Sequence, residues 1–174
     1  MGSPSLGERR AGRAVIGVTG HRRLRSGDQL RARVREALEK ARHSLGSPDE
    51  IVVLSLLAEG ADTVVAEEAL RLGLGLEVVL PMRLDAYRRT FTLGSLGRFD
   101  ALLSSCAAYS GLQSALDPPA CYRGAARLML ERSDVLVAVW DGGAGHGVGG
   151  TADVVGMAHE MGIPVTVVGC SGGS

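Results

Sequence analysis

Five short apolar runs punctuate the chain, at Ala14–Val18, Ile51–Leu56, Leu76–Leu80, Val135–Trp140 and Val165–Val168. They are continuous rather than alternating, the pattern of strands covered on both faces. Helical spacing fills the intervals. Asp28 can cap a helix running to about Leu45, with Leu30, Val34, Ala37, Leu38 and Ala41 on one face and Gly46 to stop it. Asp62 can open a second helix through Leu72, ended by Gly73, and Pro81 closes the third strand. The stretch Leu84 to Arg132 reads as two or three helices around a loop containing Asp117-Pro118-Pro119. Thr151 to Met161 forms the last helix, stopped by Gly162 before Pro164. Strand–helix alternation at this spacing predicts an α/β fold with a parallel sheet built from right-handed crossovers. In such sheets ligands sit beyond the carboxyl ends of the strands, at a topological switch point.

Three polar loops follow predicted strands. The first, Thr19-Gly20-His21-Arg22, offers a hydroxyl, a sharp turn, a ring nitrogen and a forked cation suited to phosphate; it also reads as a polar turn feeding an exposed helix. The second, Glu59-Gly60-Ala61-Asp62, places two carboxylates at a strand-to-helix junction. Asp62 there can act as an N-cap, and Glu59 can accept ribose hydroxyls as carboxylates after strands do in dinucleotide folds. The third runs from Trp140-Asp141-Gly142-Gly143 to Gly147-Val148-Gly149-Gly150-Thr151. Its glycines can bring amides toward an anion at a helix N-terminus, with Thr151 both capping the helix and binding phosphate. A glycine linker is the alternative, but helical apolar spacing resumes at once with Val154, Val155, Ala158 and Met161. The loop is no Walker sequence, since Gly-Lys-Ser/Thr is absent.

Composition narrows the class. At 174 residues with 45% hydrophobic content, the chain is long and apolar enough for one buried core. Formal charge is zero, yet residues 1 to 46 hold eleven basic and four acidic residues. That excess marks either an anion site or a solvated, arginine-rich first helix. Cys106, Cys121 and Cys170 are widely spaced, which fits reduced thiols in a cytoplasmic protein. No Cys/His group has zinc spacing and no apolar stretch approaches a membrane span, so neither metal, cofactor nor membrane is expected. His146 and His159 read as loop or surface residues. Tyr87, Arg88, Arg89 and Phe91 could reach over the strand ends, or form one helix with a packed aromatic.

Together, "VIGVTGHRRL", "LSLLAEGADTVVAEEALRLG", "LEVVLPM" and "SDVLVAVWDGG…GGTADVVGMAHEMGIPV" resemble the SLOG superfamily, over residues 14 to 168. This Rossmann-like group includes cytokinin-activating phosphoribohydrolases, DNA-processing protein A, and ligand-sensing domains of TRPM channels and antiphage effectors. The resemblance implies a Rossmann-like three-layer sandwich with a mostly parallel central sheet. It implies one domain over residues 14–170, flanked by tails at 1–13 and 171–174. It also implies one shared nucleotide site for the three loops. The hydrolase branch carries Pro-Gly-Gly-x-Gly-Thr-x-x-Glu and an arginine on the preceding helix. Aligned on Gly150-Thr151, His146 stands at the proline, Val148 at the second glycine, Val154 at the glutamate and Ala125 at the arginine. Arg123 and Arg127 lie close to the last, and Asp153 one residue from the glutamate position.

With that signature displaced, the expected function is binding of a nucleotide-derived ligand, related to ADP-ribose or NAD, by a sensor or carrier. The expected ligand residues are Thr19, Gly20, His21, Arg22, Glu59, Gly60, Asp62, Asp141, Gly142, Gly149, Gly150 and Thr151. The alternative is a nucleotide N-glycosidase using Glu59, Asp62 or Asp153. Nucleic acid is not expected of a neutral, aromatic-poor chain without a basic stripe. A separate effector protein and self-association, through the helices near Ala61–Leu72 or Tyr122–Leu130, complete the expected partners.

Overall fold

A computed structural model describes residues 12–25, 27–112, 117–144 and 147–170. Its elements run β1 (Arg13–Gly20), α1 (Asp28–Ser44), β2 (Glu50–Ser55), α2 (Ala61–Arg71), β3 (Gly75–Leu80), α3 (Leu84–Arg88) and α4 (Leu93–Ser105). They continue with β4 (Ala108–Gly111), α5 (Pro118–Arg132), β5 (Val135–Val139), α6 (Thr151–Glu160) and β6 (Val165–Val168). The strands form one sheet in the order β4-β3-β2-β1-β5-β6, and every adjacent pair is parallel. The chain moves outward from β1 to β4 on one side, then returns to β5 beside β1. That reversal makes β1 and β5 the switch point.

Side chains alternate between two cores because successive strand residues point to opposite faces. Val135, Val137 and Val139 join the helices α1 to α4 on one face. Leu136 and Ala138 join α5 and α6 on the other. All five β5 residues are therefore buried, which explains its unbroken apolar run. The expected face of α1, Leu30 to Ala41, is the buried one. Close approach of α5 explains Gly17 in the middle of β1: a Cβ there would lie 2.4 Å from Ser133 Oγ and 2.5 Å from Met129 Sδ.

Several boundaries differ from expectation. Arg13 belongs to β1 rather than to a tail, and its guanidinium pairs with Glu77 at 2.5 Å and Glu50 at 3.3 Å. β4 had no apolar run to announce it, since Ala-Tyr-Ser-Gly at an edge is only half-buried. Gly27 and Gly60 occupy the N-cap positions of α1 and α2, so Asp28 and Asp62 sit inside their helices and cap nothing. The apolar faces expected for self-association are spent internally: α2 buries Ala61 through Ala66, and α5 buries Cys121, Ala125, Ala126, Met129 and Leu130. Among the described residues, no helix is long and apolar enough to cross a membrane.

The basic excess of the N-terminal quarter is partly absorbed by α2. Glu68 has no exposed surface because Arg31, Arg35 and Arg71 cover it, at 2.8, 2.9 and 3.0 Å. Glu67 adds Arg31 and Arg98, both at 2.8 Å, tying α1, α2 and α4 together. Burial raises the Glu68 pKa, but the hydrogen bonds from Arg31 and Arg35 outweigh it and hold the group below its ordinary value. A carboxylate depressed in this way stabilises the fold above its unfolded pKa of 4.5 and loses that contribution as pH falls below it. Glu68→Gln should cost about 2–3 kcal/mol near neutrality in urea denaturation, with the gap to wild type closing in acid.

Candidate functional site

β1 ends at Gly20, and the next residue joins three loops. The His21 amide donates to Val139 O at 3.1 Å, its carbonyl accepts the Ala61 N–H at 3.0 Å, and its Nε2 lies 3.0 Å from Asp141 Oδ1. The loops after β1, β2 and β5 are thereby fixed to one another. Gly60 makes this possible: at φ 87° it lies where a Cβ would come within 2.2 Å of Arg22 O and 2.5 Å of His21 O. The neighbouring Leu57 also holds a positive φ, 53°, with its amide donating to Ser55 Oγ. Positive φ in a buried leucine is strain that the surrounding contacts must impose.

Beyond the strand ends lies a cleft of about 500 Å3. Thr19, Gly20, His21 and Arg22 line it from β1 and its loop, Asp62 from α2, and Asp141 from the end of β5. Gly149, Gly150 and Thr151 close it from the α6 side. Glu59, Gly60, Gly142 and Asp153 do not line it. Glu59 instead ties down the start of α4, accepting from Thr92 N at 3.0 Å, Thr92 Oγ1 at 3.1 Å, and Ser95 Oγ. Gly60 acts through the backbone contact just described. Asp153 accepts the Gly149 N–H at 2.8 Å and pairs with Arg123 Nε at 3.1 Å, clasping the glycine loop to α5. His146 lies outside the described residues, and His159 is exposed on α6.

The glycine loop presents its amides differently from expectation. Gly149 N–H serves Asp153 and Gly150 N–H serves Gly147 O, so neither is available to a ligand. Gly150 is the N-cap of α6 and makes no side-chain cap bond; Thr151 is the first helical residue and caps nothing. The amides without a protein acceptor among the described residues are those of Thr151, Ala152 and Asp153, the first turn of α6. They are the donors a helix start offers an anion.

Asp62 is the carboxylate that faces the cleft from below. It is buried, and its Oδ2 accepts from Ser55 Oγ at 3.1 Å and Ala58 N at 3.3 Å. Burial pushes its pKa from 3.8 up to about 6, against those two hydrogen bonds and the attraction of Arg22. Asp141 behaves oppositely: the Gly143 N–H and the His21 ring hold it below its ordinary value. The Arg22 guanidinium lies over the ring of Tyr122, 4.5 Å from its centre. Among the described residues it makes no ion pair with a carboxylate.

Several cleft residues carried no polar signal in the sequence. Tyr122, Ala126 and Met129 line it from α5, at the i, i+4, i+7 spacing of one helix face. Val18, Leu56 and Val154 extend that apolar wall, and Arg23 stands beside Arg22. Tyr87, by contrast, takes the packed reading: it is buried with Phe91 and Phe99, while Arg88 pairs with Asp100. Among the described residues, no three His, Cys, Asp or Glu side chains cluster as metal ligands.

No protein-family model and no curated protein sequence matches the chain. Solved structures do match in fold. DNA-processing protein A from Streptococcus pneumoniae is 19% identical at a TM-score of 0.64, over 91% of this chain and 51% of that one. The Helicobacter pylori protein of that name, described for its single-stranded DNA binding mode, is 18% identical at 0.60, over 88% and 64%. The Moco carrier protein of Chlamydomonas reinhardtii is 20% identical at 0.52, over 91% and 78%. The chain thus spans between half and two thirds of the two DNA-processing proteins. Its fold is the Rossmann-like α/β sandwich expected from the motifs, shared with these neighbours. The expectation against nucleic acid gains no support from these neighbours.

The raised Asp62 pKa fixes a sign for stability. The folded protein holds this proton more tightly than the unfolded chain, so Asp62 destabilises the fold increasingly as pH rises from 3.8 to about 6. Asp62→Asn should therefore be more stable than wild type at about pH 7, by at most about 3 kcal/mol, and near neutral at about pH 3.5. Urea denaturation at both pH values checks this.

Proposed function

We propose that this protein binds a nucleotide or nucleotide-derived ligand, of the ADP-ribose or NAD-related kind, as a sensor or carrier. One observation carries the reading: a single cleft pairs Arg22, a guanidinium that makes no ion pair among the described residues, with the first-turn amides of α6, which have no protein acceptor among them. Both are anion donors, and the helix dipole adds to the second. The apolar wall of Val18, Leu56, Ala126, Met129 and Val154 gives a base or other flat ring somewhere to lie. Asp62 lines the same cleft and would accept from ribose hydroxyls. Thr151, Arg22 and Asp62 are therefore the working ligand residues, with His21 and Asp141 holding the walls. A sensor of this kind would act on a separate effector protein.

One observation favours hydrolysis as a second reading. Of the three candidate carboxylates, Asp62 faces the cleft, while Glu59 and Asp153 are committed to structural hydrogen bonds. A carboxyl with a pKa of about 6 can exchange a proton near neutrality, as a general base at an anomeric carbon must.

Thermal shift against AMP, ADP-ribose, NAD, nucleoside monophosphates and a single-stranded deoxyoligonucleotide, with each mixture checked for breakdown, tests both. A ligand at a hundred times its Kd should add about 2.7 kcal/mol of stability. Stabilisation by an intact nucleotide supports the sensor, and released base that Asp62→Asn abolishes supports the hydrolase. Stabilisation by the oligonucleotide alone turns the assignment to DNA. Arg22→Ala and Thr151→Ala should each weaken the bound nucleotide, Arg22→Ala by about 1.5–3 kcal/mol and Thr151→Ala by about 1 kcal/mol. If neither changes affinity, the ligand lies elsewhere.

A further inference from the structure

Arg22 is held at both ends. Its backbone is pinned in the joint of the three loops, where a Cβ on Gly60 would come within 2.2 Å of Arg22 O. Its guanidinium makes no ion pair among the described residues and lies over the face of Tyr122, 4.5 Å from the ring centre. Both side chains line the cleft. The ring beneath is backed by further aromatics. Its centre is 6.1 Å from that of Tyr87, which has no exposed surface and meets Phe91 and Phe99 edge-on at 5.2 and 5.7 Å. Tyr122 thus joins the packed aromatics of α3 and α4 to the cleft.

The same part of α5 supports the second anion donor. A Cβ on Gly149 would lie 3.1 Å from Tyr122 Cβ and 3.2 Å from both Pro119 O and Arg123 N, so the glycine loop rests on the first turns of α5. Arg123 adds its ion pair with Asp153, in the first turn of α6. Arg22 and the α6 amides therefore share one support, the stretch from Pro119 to Arg123.

Stacking uses the face of a guanidinium and leaves its N–H groups, which lie in its plane. An arginine lying flat on a fixed ring offers that forked edge to a ligand, having given up rotamer freedom before the ligand arrives. The fork matches two oxygens of one phosphate. A lysine in the same place would bring the charge without the fork or the flat face.

We infer that Tyr122 is a positioning residue: its ring holds Arg22 flat, so that the guanidinium edge grips a phosphate of the ligand. This rests on the nucleotide reading proposed above and adds to it how the phosphate is held. Tyr122 acts on affinity through Arg22.

Calorimetric titration of AMP and ADP-ribose tests the inference on wild type, Arg22→Ala, Arg22→Lys, Tyr122→Phe, Tyr122→Leu and the double variant Arg22→Ala/Tyr122→Leu. Tyr122→Leu should weaken the bound nucleotide by about tenfold, whereas Tyr122→Phe, which keeps the ring, should stay within about threefold of wild type. The double variant should lose no more than Arg22→Ala alone, because a residue acting through Arg22 then has nothing to act on. Arg22→Lys should lose nearly as much as Arg22→Ala. That variant and Tyr122→Phe leave the aromatic packing in place, so they test the inference even where Tyr122→Leu melts too low to titrate. A Tyr122→Leu loss that adds in full to that of Arg22→Ala overturns the inference, since the ring then acts on the ligand without Arg22. Loss in Tyr122→Phe as large as about tenfold overturns the role of the ring face, and Arg22→Lys within about twofold of wild type overturns the fork. Nucleotide binding that Tyr122→Leu leaves unchanged overturns the inference and leaves the nucleotide reading standing. Absence of heat with both ligands on wild type overturns the nucleotide reading, and this inference with it.

Discussion

The cleft depends on a joint made mostly of backbone. His21 gives its amide to Val139 and its carbonyl to Ala61, so one residue spans the loops that follow β1, β2 and β5. The ring contact with Asp141 adds a side-chain tie to the same junction. Backbone atoms make the main contacts, so the geometry is set by strand register and by Gly60, which leaves room for two carbonyls where any side chain would collide. The walls can then carry varied side chains without shifting the frame. That separation of frame from lining is what allows one fold to serve different ligands.

Carboxylates divide the remaining work according to their surroundings. Glu59 anchors α4, Asp153 clasps the glycine loop to Arg123, and Glu68 gathers three arginines from two helices. Glu59 and Glu68 have donors that favour their charged forms. Asp62 has donors too, but burial dominates there, and it is the carboxylate held near its own titration at neutrality. A group in that condition is costly to the fold and is retained where chemistry or recognition uses it.

Much of this was readable from residue order. Continuous apolar runs located five of the six strands because burial on both faces removes the need for alternation. The α1 face was legible for the same reason, in helical period. Edge strand β4 was not, because a half-buried Ala-Tyr-Ser-Gly resembles a turn. The three loops could be recognised as cleft-forming from glycine and charge at strand ends. Which carboxylate would face inward could not, since Glu59 and Asp62 differ only in where a helix begins, one residue after Gly60. The same limit applied to α6. Glycines drew the anion site toward Gly149 and Gly150, whereas hydrogen bonding inside the loop moves the free amides to Thr151, Ala152 and Asp153. Tyr122 was hidden because its place in the cleft shows only in what stacks on it, the Arg22 guanidinium.

The place of the cleft in the sheet has a consequence for how the protein is made. It opens beside the end of β1, where Thr19 and Gly20 pair with Ala138 and Val139 of β5, and the Val15-to-Asp134 hydrogen bond of that seam joins residues 119 positions apart. Contacts of such separation carry the largest closure entropy and form late. While a ribosome is still releasing the second half of the chain, β1 has no β5 beside it and the first three helices have no pocket to offer. Any ligand of the cleft would therefore be invisible to the nascent protein. It could reward only the finished fold, by slowing the opening of the last seam to close.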